Sequence, residues 1–252
     1  MTAEKIYDFL NKKFPVSSAA EYDNTGFLIG DKTADVKSAV LALDCTDTAI
    51  DLCIKTGANL IITHHPVIFN GIKSINKGDT VYRLIENEIS VISMHTNLDM
   101  GEGGVCDALA HKLSLKSISV INGYDGLSFR KGVLNEQLSA DDFAKFVSER
   151  LNTTVKYVGS GKSVSTVAVC SGSGSDYMYD AINSGCDAFV TSEVKHHLFL
   201  EAEKAGLVLI DAGHFSTEDV IIEPLCQLLR NEFPSVTFIT DHNSVIKVMN
   251  KI

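Results

Sequence analysis

A strand, helix, strand succession written twice at a fixed offset limits the fold of this chain more than anything else in its sequence. Strand 40–43 leads to a helix from about Thr46 with Ala49, Ile50, Cys53 and Ile54 as its apolar stripe. Gly57 is placed to stop that helix as a left-handed C′ residue, and a second strand runs into Thr63. Further on, strand 167–170 precedes a helix from about Asp176, a stop at Gly185 and a strand ending at Thr191. The two glycines stand 128 positions apart, and each lies six residues before its threonine. A βαβ unit used twice predicts an α/β protein of two similar three-layer halves, related by internal duplication and built on mixed sheets.

Each half continues with a helix and a further strand. Helix 80–87 and strand 89–94 deliver His95-Thr96-Asn97-Leu98-Asp99; helix 194–204, Gly206 and strand 207–210 deliver Asp211 to Glu218. The 252 residues suffice for two moderate domains. The Gly-, Ser- and Asn-rich stretch 118–130 places their boundary near Gly123, giving halves 1–122 and 123–252, with a C-terminal strand able to return to the first sheet. A packing helix is expected over 3–13, and Tyr22 to Gly26 reads as turn chemistry. Ser216 and Asp219 have capping-box spacing for a helix that Pro224 would kink, and strands 236–240 and 245–249 would form a terminal hairpin.

The strand ends carry the chemistry. Thr63-His64-His65-Pro66 sets two adjacent histidines where proline takes the chain out of strand geometry, and the carboxyl ends of strands receive ligands in open α/β sheets. His95 and Asp99 follow one strand, His214 and Glu218 another. Imidazole with carboxylate and no thiolate suits zinc, manganese, iron or nickel. Five donors, His64, His65, Asp99, His214 and Glu218, exceed the three of one catalytic zinc. They point to two divalent cations held between the halves, able to acidify a water and polarise a substrate oxygen. His95 reads equally as a proton-moving or orienting residue and as a ligand, and the proton-moving role is the one assigned; His196 and His197 read as solvated helix residues, His111 and His242 as surface.

A net charge of −10 and a pI near 5.2 oppose binding to nucleic acid phosphates or anionic membranes. No apolar run reaches the roughly 18–20 residues of a membrane span, and Met1-Thr2-Ala3-Glu4-Lys5 is no signal-peptide start, so a cytoplasmic protein is expected. The six cysteines include no C-x-x-C and read as reduced, mostly buried thiols. Val158 to Ser163 looks like a P-loop, but Lys156 stands where that motif needs glycine. Ser171-Gly172-Ser173-Gly174-Ser175 reads as a tight loop, and as the first candidate to meet a substrate phosphate.

Tyr22-Asp23-Asn24-Thr25-Gly26, Thr63-His64-His65-Pro66, His95-Thr96-Asn97-Leu98-Asp99 and Gly213-His214-Phe215-Ser216-Thr217-Glu218 together resemble the Nif-three-like proteins, also named GTP cyclohydrolase I type 2 homologues. The resemblance runs through almost the whole chain. It implies a dinuclear site on His64, His65, Asp99, His214 and Glu218, a toroidal homohexamer with its metals facing inward, and a compact form without the inserted domain of longer relatives. Phe215 departs from the tyrosine that many relatives carry, which removes any role for a hydroxyl there. The family name implies a small-molecule, nucleotide substrate, the purine ring of GTP being opened by hydroxide. A phosphoester hydrolase or a non-catalytic metal-binding regulator would use the same donors.

Overall fold

The computed structural model describes residues 1–247. Along the chain, α1 (Ala3–Lys13) precedes β1 (Gly26–Ile29) and β2 (Ser38–Ala42). Then come α2 (Asp47–Thr56), β3 (Leu60–Thr63), α3 (Thr80–Glu86), β4 (Ser90–Ser93) and the short α4 (Thr96–Met100). α5 (Val105–Lys112), β5 (Lys116–Asn122), β6 (Ser128–Ser139) and α6 (Ala140–Leu151) lead to β7 (Lys156–Val158) and β8 (Ser163–Val169). The second repeat follows as α7 (Met178–Asn183), β9 (Ala188–Thr191), α8 (His196–Ala205) and β10 (Val208–Asp211). α9 (His214–Glu218), α10 (Ile222–Glu232) and β11 (Thr237–Thr240) complete the order.

These elements make a five-stranded sheet, β1-β4-β3-β2-β11, and a six-stranded sheet, β5-β6-β8-β9-β10-β7. Both are mixed. The duplication is exact in register: Ala39 pairs with Leu60 as Val167 pairs with Ala188, and Leu41 with Ile62 as Val169 with Val190. In each sheet three consecutive strands run parallel, and an antiparallel strand, β1 or β7, closes the edge beside the third. Gly57 and Gly185 take φ of 71° and 75°, the left-handed turn that ends a helix and that a Cβ would strain. Thr46 caps α2 by accepting from the Ala49 N–H at 3.2 Å, a contact of about 1 kcal/mol.

Strand alternation sorts the cores. In the first sheet Val40, Ile61 and Val91 pack against Ile50, Cys53, Val81 and Leu84 of α2 and α3. The intervening Leu41, Ile62 and Ile92 are as deeply buried, so the other face is covered too. In the second, Ala168, Phe189 and Leu209 face Met178, Ala181, Leu198 and Ala202 of α7 and α8. Val167, Val169, Val190 and Ile210 face Leu109, Phe143 and Val147 of α5 and α6. Two helical layers flanking a buried sheet match the expected three-layer α/β half.

By internal packing the chain forms two compact units, Met1–Leu98 with the stretch from Ile222, and Asp99–Ile221. The division expected at 122/123 falls inside a hairpin, because β5 and β6 pair from Asn122↔Ser128 to Lys116↔Val133 and close through Gly123 to Leu127. The stretch 118–130 is therefore sheet, not linker. β11 returns to pair in parallel with β2. No hairpin partner for it is found among the described residues: 245–247 are not strand, and the rest of the expected arm, to Met249, lies outside them. Ser216 is not a cap, since the helix already starts at His214 after the left-handed Gly213. A 3₁₀ turn, Asp219–Ile221, then resets the chain, and Pro224 lies in the first turn of α10, where no intrahelical N–H bond is lost. No helix among the described residues is long and apolar enough to cross a membrane.

Candidate metal centre

In the first unit three imidazoles meet at the carboxyl ends of β3 and β4. β3 is buried throughout and stops where the Thr63 hydroxyl turns back to donate to the His65 carbonyl, 2.8 Å away. The N–H groups of His64 and His65 still donate to Ala42 and Leu43 of the β2 chain, at 3.3 and 2.9 Å, so both residues are fixed although strand geometry has ended. His64, 2% exposed, donates through Nδ1 to the Met94 carbonyl at 2.8 Å. A carbonyl only accepts, so Nδ1 carries the proton and the lone pair is on Nε2.

The other two rings are likewise held through Nδ1. Asp44 Oδ1 lies 2.8 Å from His65 Nδ1, and Asp23 Oδ1 lies 2.8 Å from His95 Nδ1. Burial alone would push the Asp23 carboxyl up, but hydrogen bonds from His95 and Thr96 outweigh it and hold it at about 2. Asp23 is therefore ionised and can only accept. One ligand atom from each of His64, His65 and His95 lies within 4.8 Å of the others.

In the second unit His214 opens α9, and the i, i+4 spacing brings its Nε2 to 3.0 Å from Glu218 Oε2. His214 Nδ1 is 3.0 Å from Glu193 Oε1, so the ring lies between two carboxylates. Glu218 is 3% exposed, and its carboxylate and that of Asp99 offer oxygens within 4.8 Å of each other. Ser171 Oγ donates to Asp99 Oδ1 at 2.7 Å. Gly172, at φ 56°, makes room for Glu218, since a Cβ there would collide with Oε1. Its N–H donates to Thr217 Oγ1 at 3.1 Å and that of Gly174 to the Gly172 carbonyl at 2.9 Å, as in a tight loop. The Gly159 N–H donates to the Glu203 carboxylate at 2.8 Å, the reverse of what a phosphate loop offers.

His196, His197, His111 and His242 are exposed. Sequence reasoning missed the orienting carboxylates Asp23, Asp44 and Glu193. Asp23, read as turn chemistry alone, reaches His95 because Gly26 pairs with Ser93 across β1 and β4. Two signals were available. Asp44 follows β2, whose Ala42 pairs with Thr63 next to the histidines, and Glu193 stands 128 positions after His65, at its repeat equivalent.

Comparison with known proteins fits this geometry. The family model Duf34/NIF3 (NGG1p interacting factor 3) matches residues 1–245. This chain belongs to that family. It is similar to the GTP cyclohydrolase 1 type 2 homolog of Clostridium acetobutylicum, 32% identical over 215 residues, covering 81% of this chain and 80% of that one. The protein of the same name from Staphylococcus aureus is 28% identical, covering 92% and 94%. The crystal structure of Staphylococcus aureus protein SA1388 superposes with a TM-score of 0.92 at 30% identity, over 100% of this chain and 99% of that one. Imidazoles whose Nδ1 atoms are tethered, together with carboxylates, are donors that fit a first-row divalent ion.

Proposed function

We propose that this protein binds two divalent cations through His64, His65, Asp99, His214 and Glu218 and is a metal-dependent hydrolase of a nucleotide-like substrate. The observation that carries this reading is the tethering of Nδ1 on His64, His65, His95 and His214, which leaves Nε2 as the coordinating or proton-moving nitrogen. When bound, such ions polarise a substrate oxygen and supply a water acidified towards hydroxide near neutral pH. Zinc, iron, manganese and nickel all suit the donors. His95, its Nδ1–H given to ionised Asp23, accepts or releases a proton at Nε2. The relatives' name supports a purine nucleotide as substrate, with hydroxide adding to a ring carbon. The family resemblance supports assembly as a homohexamer, which sedimentation at the mass of six 27.3 kDa chains would bear out.

The test is a ligand-replacement series. His65→Ala and Glu218→Ala are expected to weaken zinc binding at least roughly tenfold and to abolish metal-dependent turnover across a panel of nucleotides and phosphoesters. Lys162→Ala should change neither. Wild-type metal content in both ligand variants would refute the site. Full metal content without turnover of any panel member would favour a non-catalytic metal-binding protein.

A further inference from the structure

Between Pro66 and Asp79 the chain has neither helix nor strand, yet it is not loose. Val67 and Ile68 pack against the core of the first unit, and the Asn24 side-chain amide donates to the Ile68 carbonyl. The base of this loop is thus pinned to the same turn that supplies Asp23 to His95. Immediately beyond the pin the chain presents three large apolar side chains, Phe69, Ile72 and Ile75, exposed by 46, 44 and 47%. Of these, Phe69 lies against a histidine ring. Its centroid is 6.2 Å from that of His95, with the ring planes at 84°.

A perpendicular contact does not cover both faces of the Phe69 ring, and with 46% of the residue exposed the ring offers accessible surface next to His95. His95 is itself 5.6 Å, centroid to centroid, from His65 and 5.2 Å from His64. A flat ring stacked on the exposed Phe69 ring, at the ~3.5–4.0 Å of carbon contact, would lie next to His95. Aliphatic substrates gain little from such a platform. Planar heterocycles gain dispersion and electrostatic stacking whatever their edge pattern.

We propose that Phe69 is the stacking platform for a planar heteroaromatic ring of the substrate, so that the ring, rather than a phosphate, is the part brought to His95. This deepens the hydrolase reading and rests on it for the chemistry, because it makes a ring atom the one attacked and a distant phosphoester the wrong substrate. The binding claim itself does not depend on metal.

The chain contains no tryptophan, so Phe69→Trp gives a single reporter. GMP, AMP and UMP would be titrated against this variant with and without zinc, using ribose 5-phosphate as the ring-free control and Ile75→Trp as the control on the same loop. Saturable quenching at position 69 by at least one nucleotide, with none by ribose 5-phosphate and none at position 75, is expected. Phe69→Ala should bind that nucleotide about tenfold more weakly than wild type in equilibrium dialysis, and Phe69→Leu more weakly than wild type by a smaller factor, both with wild-type zinc content. Absence of quenching by all three nucleotides, equal quenching at position 75, or undiminished binding by Phe69→Ala would each overturn the proposal. Failure of the hydrolase reading has another signature: loss of turnover or of metal stoichiometry with the quenching retained.

Discussion

At the scale of single residues, each candidate ligand histidine comes with an acceptor for Nδ1, and the acceptors differ in strain. Asp44 stands two residues after β2, and Asp23 sits in a turn closed by its own N–H to the Ala20 carbonyl, whereas Glu193 takes φ 54°, a conformation rare outside glycine and asparagine. Backbone strain of this kind costs about 1–3 kcal/mol and survives only where the surroundings require it. Here it carries the carboxylate to His214 Nδ1. Glu193→Asn, which tolerates the left-handed region but is too short to reach the ring, should therefore separate two effects. Thermal stability of the metal-free protein is expected to stay level or rise slightly, while zinc affinity by calorimetric titration falls about 10- to 100-fold. Unchanged affinity would mean that Glu193 does not orient His214.

At the scale of elements, the duplication makes a quantitative demand. Gly57 and Gly185 end equivalent helices at nearly the same φ, and a Cβ added at either meets nothing within 4 Å. Gly57→Ala and Gly185→Ala should each cost only the left-handed backbone penalty, about 1–2 kcal/mol, and by similar amounts in urea unfolding. A much larger loss at one of them would mean that the two turns are not equivalent. These turns, and the βαβ units between them, were legible because a period of 3.6, a glycine stop and a short apolar strand are local signals. The α9 start was not. Ser216 has the spacing of a cap, but the left-handed Gly213 had already turned the chain, and the Thr217 N–H donates back to its carbonyl at 3.2 Å. The hairpin of β5 and β6 was hidden for a similar reason: its turn, Gly123 to Leu127, has linker composition, and only the pairing on either side tells the two apart. Of the site, His64, His65, His95 and the pair His214 and Glu218 could be placed from strand ends and an i, i+4 spacing. Asp23 and Asp44 depend on which strands are neighbours, which no local pattern encodes, whereas Glu193 is marked only by the long-range repeat.

At the scale of the molecule, the order of folding units differs from the order of the chain. The second unit, Asp99–Ile221, is continuous and holds a complete six-stranded sheet with a core on each face. The first is interrupted: β11 lies on the β2 edge, with Phe238 opposite Ala39, and α10 brings Leu225, Cys226 and Leu229 into burial, with Phe233 just after it. Phe233 also sets its ring 5.4 Å from that of Phe9 in α1. A fragment of residues 1–98 would leave the β2 edge unpaired and these contacts unmade, a template for aggregation. Residues 99–221 expressed alone should unfold cooperatively in urea, with a slope of about 1–3 kcal/mol per molar, and keep native near-ultraviolet dichroism. Residues 1–98 should aggregate or bind hydrophobic dye, until 222–252 are fused to them through a flexible linker and a cooperative transition returns. If 1–98 folds as sharply alone as it does with 222–252 attached, β11 and α10 are ornaments of the first sheet and not part of its core.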